Sequence, residues 1–204
     1  MKIVIDNTQA HELKFVNVSF GYENADVLHD INITLPAGNL TAFVGVSGAG
    51  KTTAAQLIPK YWEVGNGVIM IDSNPINSLK NESLMDNISF VFQETFMLND
   101  NIYENIAIAM IKNAHILLLD KSTSSLDADN EKEINHAIDM LMKDWTVIMI
   151  AHRLNIIRNA DNIIVLDEGK ILEQGTHESL MEQAGWYSHV IEEQNKAKKW
   201  EYDN

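Results

Sequence analysis

The sequence predicts an α/β fold built on a mainly parallel central sheet, and three observations carry that expectation. Leu40–Val44, His115–Leu119 and Trp145–Ile150 are continuous apolar runs, the composition of strands buried on both faces. The runs stop at Gly45, at Asp120 and at Ala151-His152-Arg153, and strand ends of this kind are where α/β folds gather their functional groups. The glycine-rich segment Gly45–Thr52 joins the first run to the helical stretch Thr52–Ile58.

Taken in order, Leu13, Phe15, Val16, Val18 and Phe20 mark a first strand, and Val27 to Leu35 a second, in which Ile31, Ile33 and Leu35 alternate with polar residues. Gly21-Tyr22-Glu23-Asn24 is read as the turn between them, and Pro36-Ala37-Gly38-Asn39 as the turn into Leu40–Val44. Short apolar strands follow at Gly67–Asp72 and Ile88–Phe92, the latter ending beside Gln93. Asp129 to Met142 has helical spacing through Ile134, Ala137, Ile138 and Leu141. Asn162–Leu166 and Lys170–Glu173 flank the hairpin signal Asp167-Glu168-Gly169, and Thr176 caps a closing helical region.

Gly45-Val46-Ser47-Gly48-Ala49-Gly50-Lys51-Thr52 fits G-x-x-x-x-G-K-[ST] at every fixed position. A backbone that curls tightly enough to aim successive N-H groups at phosphate oxygens needs residues without obstructing side chains, which Gly45, Gly48 and Gly50 supply. Lys51 offers a mobile cation for the terminal phosphates and Thr52 a hydroxyl for Mg²⁺, at the positive end of a helix. Asp120, an acid closing a buried strand, is the complementary metal candidate. Tyr22 offers a flat π surface on which a base can stack, although a packed turn residue is the plainer role for a tyrosine there.

The 204 residues, 46% of them hydrophobic, suffice for one domain with a sizeable core. No run of 18 apolar residues occurs and Asp6 interrupts the opening segment, so the expectation is a soluble chain without a signal peptide. The absence of cysteine excludes disulfide staples and thiolate metal sites and fits the cytosol. A formal charge of −14 repels a polyphosphate backbone, so nucleic acid is not expected as a partner; the basic trio Lys196, Lys198 and Lys199 reads as a solvated terminal helix.

Tyr22, the phosphate loop, Gln93, Leu117-Leu118-Leu119-Asp120, Ser124-Ser125-Leu126-Asp127 and Ala151-His152-Arg153 resemble, in that order, the motifs of ABC transporter nucleotide-binding domains. Val91-Phe92-Gln93-Glu94, Glu104-Asn105-Ile106 and Gln174-Gly175-Thr176-His177-Glu178 resemble the exporter-type branch. The resemblance covers nearly the whole chain. It implies a P-loop NTPase core with an N-terminal antiparallel β subdomain, binding ATP and Mg²⁺. It further implies Tyr22 as the adenine-stacking aromatic, and Gly45, Ser47, Gly48, Ala49, Gly50, Lys51, Thr52 and Thr53 around the phosphates. Thr52, Gln93 and Asp120 would serve the metal, with Gln93 also the Q-loop residue that senses Mg²⁺, water and the membrane domain, Ser124 to Asp127 the D-loop and His152 the switch histidine. A transmembrane domain subunit and a second nucleotide-binding domain are the implied partners, which would hold the chain at the inner face of the cell membrane. The related proteins that act on ribosomes or in DNA repair are disfavoured by the acidic balance.

Two departures qualify the resemblance. The position after the acid, which in the family holds a glutamate that polarises the attacking water, is Lys121. An ammonium has no lone pair to accept a proton, so Lys121 can hold phosphate but cannot act as the base; Glu94 and His152 are the substitutes to weigh. Only 26 residues separate Gln93 from Asp120, and no signature motif LSGGQ lies among them. The expectation is a single domain over residues 1–204, internally shortened between about 94 and 115, with its helical subdomain largely missing. Since each family site pairs one subunit's phosphate loop with the other's signature, the sequence is read as an ATP-binding domain whose hydrolysis is impaired, or as a non-catalytic, regulatory remnant.

Overall fold

A computed structural model describes residues 3–6, 8–23, 25–91, 114–121, 144–151 and 157–202. Its centre is a six-stranded sheet in the order β10-β9-β3-β8-β7-β6. The strands are β3 (Leu40–Val44), β6 (Ile88–Val91), β7 (Ile116–Lys121), β8 (Thr146–Ala151), β9 (Asn162–Asp167) and β10 (Lys170–Gly175). β9, β3, β8, β7 and β6 run parallel, and β10 returns antiparallel to β9. The continuous apolar runs are thereby explained, because every residue of β3 and of β8 is buried.

Side chains alternate between two cores. Phe43, Ile116, Leu118, Ile148, Ile150, Ile164 and Leu166 face one of them, together with Ala54, Ala55 and Leu57 of helix α1 (Lys51–Leu57). The same core takes its other wall from an antiparallel sheet ordered β2-β1-β4-β5. That sheet comprises β1 (Leu13–Tyr22), β2 (Ala25–Leu35), β4 (Asn66–Ile71) and the two-residue β5 (Asn74–Pro75). Ala42, Val44, Leu117, Leu119, Val147, Met149, Ile163 and Val165 face the second core, closed by Leu180, Tyr187 and Ile191. These last three lie on α3 (His177–Gln183) and α4 (Trp186–Tyr202).

The α/β P-loop NTPase architecture with an N-terminal antiparallel β subdomain therefore matches the expectation. Thr176 caps α3 as predicted, its side chain accepting from the Ser179 N-H. The predicted hairpin turn is formed by Glu168 and Gly169, both with positive φ, at 44° and 72°. Three local features change or add to that reading. Tyr22 closes β1 and pairs with Ala25 rather than sitting in a longer turn, because strand pairing runs on through Gly21 and Asp26. The strand expected over 67–72 forms at 66–71 and pairs with β1 in the antiparallel sheet, Gly67 lying with φ 79° against the Asn17 carbonyl where a Cβ would overlap it. A helix the sequence did not announce, α2 (Asn81–Asn87), buries only Ser83, Leu84 and Asn87, too few positions for a period to register. The helix predicted over 129–142 lies outside the described residues.

α4 is anchored by Tyr187, whose hydroxyl sits 2.9 Å from His177 Nδ1. Burial pushes this hydroxyl from an ordinary value near 10 up to about 12; the Arg158 charge opposes the shift and Glu178 adds to it. The unfolded chain gives up this proton near pH 10 while the folded chain keeps it, so the contribution is intact below pH 10 and lost as pH rises to about 12. Urea unfolding at pH 9.5 and 11.5 should show wild type losing on the order of 2 kcal/mol more stability than Tyr187→Phe across that interval.

Candidate functional site

The parallel strands point their carboxyl ends to one edge of the sheet. Phe43 pairs with Ile150, Asp120 with Ile150, Lys121 with Ala151, and Leu119 with Val91. Val44, Val91, Lys121 and Ala151, the last residues of four strands, therefore line a common edge, with the glycine loop leaving from Val44. Two strand spacings separate β3 from β7, about 10 Å, which puts Asp120 within electrostatic range of the loop.

The loop's glycines meet different constraints. Gly45, with φ 143°, lies so close to β9 that a Cβ would overlap the Leu166 carbonyl. At Gly50, φ 97°, a Cβ would come 2.6 Å from Leu28 Cδ2 of β2. Gly48, φ 81°, has nothing within 4 Å of its Cβ position, so its side of the loop is open. A phosphate group fits that arrangement: two glycines seat the loop between the sheets, and the third leaves a clear approach to its backbone.

Lys51 is only 4% exposed and folds back on the loop, its Nζ donating to the Gly45 carbonyl at 3.0 Å and the Val46 carbonyl at 2.8 Å. Burial holds its pKa below the usual lysine value, partly countered by the charge of Asp120. Asp120 is 6% exposed, whereas Thr52 is exposed at the start of α1. Thr53 is buried one residue further on, its hydroxyl 3.3 Å from the Tyr22 hydroxyl. Tyr22 is half-buried beside this turn, so the structure brings together Tyr22, the loop, Lys51, Thr53 and Asp120.

Among the described residues no group of three or more His, Cys, Asp or Glu is placed to hold a metal. Mg²⁺ fits such a site, because it binds through one or two protein oxygens plus substrate phosphates; Thr52 and Asp120 would supply the protein share. Gln93, His152 and the segment Ser124–Asp127 lie outside the described residues; Lys121 is placed by its backbone at the end of β7.

Sequence reasoning missed Trp62, whose ring centroid lies 5.1 Å from that of Tyr22. The available signal was two adjacent aromatics, Tyr61 and Trp62, in the short segment between α1 and the glycine-flanked β4; both remain nearly half exposed.

A family model described as ABC transporter matches residues 28–170. The ATP-dependent lipid A-core flippase of Syntrophus aciditrophicus (strain SB) is 35% identical over 256 residues, covering 96% of this chain and 43% of that protein. The putative multidrug export ATP-binding/permease protein YgaD of Bacillus subtilis (strain 168) is 32% identical over 238 residues, covering 90% and 41%. A solved bacterial Atm1-family ABC exporter with ATP bound superposes with a TM-score of 0.84 at 28% identity, over 95% of this chain and 43% of that one. The chain thus spans about two fifths of the length of the curated relatives it matches.

The glycine geometry separates folding from binding. Gly45→Ala should lower stability by about 2–4 kcal/mol, since both the backbone conformation and the Leu166 carbonyl oppose it. Gly48→Ala should cost only about 1 kcal/mol, from its positive φ alone, measured for both variants by chemical denaturation.

Proposed function

The chain belongs to the ABC transporter family, and from that premise we propose that it is the ATP-binding domain of an exporter whose own hydrolysis is impaired. The observation that carries the binding half is the loop itself, seated by Gly45 and Gly50, open at Gly48 and provided with the buried cation of Lys51. In this reading the loop backbone and Lys51 hold the β- and γ-phosphates of ATP, Thr53 supports the turn, and Tyr22 stacks on the base. Thr52, Asp120 and Gln93 would hold Mg²⁺, which when bound bridges phosphate oxygens and neutralises their charge.

Impaired hydrolysis rests on two features of the sequence. Lys121 occupies the place of the general base and has no lone pair to offer at neutral pH. The signature motif is absent between Gln93 and Asp120, so a partner's bound nucleotide would gain no signature contact from this chain. The flippase alignment supports internal shortening, since it runs over 256 positions while covering 96% of a chain of 204 residues. His152 would sense the γ-phosphate without replacing the base. A regulatory, non-catalytic role is the reading that Lys121 favours if turnover is nil.

Export and a membrane partner are carried over from the relatives, whose names include a flippase and an export ATP-binding/permease protein, and placement at the inner membrane face belongs to the same proposal. No helix among the described residues is long and apolar enough to cross a membrane. A second nucleotide-binding domain carrying an intact signature would complete the site at this chain's loop. One domain over residues 1–204, shortened between about 94 and 115, is the organisation this reading requires.

The purified chain should bind Mg-ATP in titration calorimetry, and Lys51→Met should weaken that binding about 10- to 100-fold while the protein stays folded. Phosphate release should stay near background in both proteins. Turnover at the rate of an intact family member would overturn the impairment, and failure of the wild type to bind ATP would overturn the assignment.

A further inference from the structure

The ring proposed to stack on the base is held from three sides. Phe20, two residues earlier on the same face of β1, meets Tyr22 at 4.9 Å and 89°. Trp62 meets it at 5.1 Å and 88°, and lies 6.3 Å from Phe20. The Tyr22 hydroxyl reaches Thr53 Oγ1 at 3.3 Å, two residues beyond Lys51. Phe20 is 7% exposed and belongs to the core, whereas Trp62 is 47% exposed, in the segment joining α1 to β4. Trp62 is thus spent less on core volume than on the flank of one half-buried ring.

We propose that Trp62 is a positioning residue for base recognition: its perpendicular contact fixes the plane of Tyr22, so that the ring is already oriented when a nucleotide's base arrives. This rests on the ATP-binding reading above and adds to it a residue outside the motifs. Perpendicular packing is a favoured geometry for aromatic pairs, and a ring held in one orientation loses less freedom on stacking. Thr53 ties the same ring to the turn that carries the phosphate-binding lysine, so base and phosphate contacts share one support.

The test separates base from phosphate. Titration calorimetry on the full chain would compare Mg-ATP with Mg-tripolyphosphate, for wild type, Trp62→Ala and Trp62→Phe, with Trp62→Leu as the alternative should the alanine variant unfold. Trp62→Ala is expected to weaken ATP about fivefold, leave tripolyphosphate unchanged, and be largely rescued in Trp62→Phe. Unchanged ATP affinity in Trp62→Ala, or equal losses for both ligands, would overturn the positioning role while leaving the phosphate site standing. Equal affinity of the wild type for ATP and tripolyphosphate would overturn it too, by removing any base contribution. Binding of neither ligand to the wild type would instead remove the ATP-binding reading itself.

Discussion

The structure depends on one close approach, that of the phosphate loop to the two sheets flanking it. Gly45 rests against the Leu166 carbonyl at the end of β9, and Gly50 against Leu28 and the Val27 carbonyl of β2. The turn between β9 and β10 completes the contact: the Gly169 N-H donates to the Ala49 carbonyl at 3.3 Å, and the His29 N-H donates to the Gly169 carbonyl at 2.9 Å. Loop, hairpin and antiparallel sheet are joined by backbone hydrogen bonds, which side-chain changes do not directly remove. A glycine is required at 169 as well, since a Cβ there would overlap the Val27 carbonyl.

That seating explains the electrostatics of the edge. A loop pressed into the fold takes Lys51 with it, and the loss of water around the ammonium lowers its proton affinity, while Asp120 on β7 works in the opposite direction. The parallel register makes the pairing possible, by bringing the ends of β3, β7 and β8 to one level. Few carboxylates are needed there, in keeping with a metal held largely by the phosphates it serves.

Much of this was legible in the residues. Continuous apolar runs marked β3, β7 and β8 because both of their faces are covered, and the glycine spacing marked the loop because its backbone conformations exclude most side chains. Sheet membership was not legible: nothing in Asn66–Ile71 says that it pairs with β1, a pairing in which Gly67 packs against Asn17. Nor was α2, whose seven residues offer a single buried leucine. Within the site, motif positions gave Tyr22, Lys51 and Asp120. The Tyr22–Trp62 contact joins residues 40 positions apart, for which no local periodicity exists. Gln93 and His152 remain readings of the sequence, because both lie outside the described residues.

The lysine folded onto its own loop has a thermodynamic corollary. Two of its three N-H donors already go to the Gly45 and Val46 carbonyls, so an incoming anion meets a charge that is partly engaged rather than idle. Observed affinity is then a net quantity, the new contacts less whatever part of those two the anion displaces. A loop that gripped its lysine more loosely would bind more tightly without gaining any contact to the ligand.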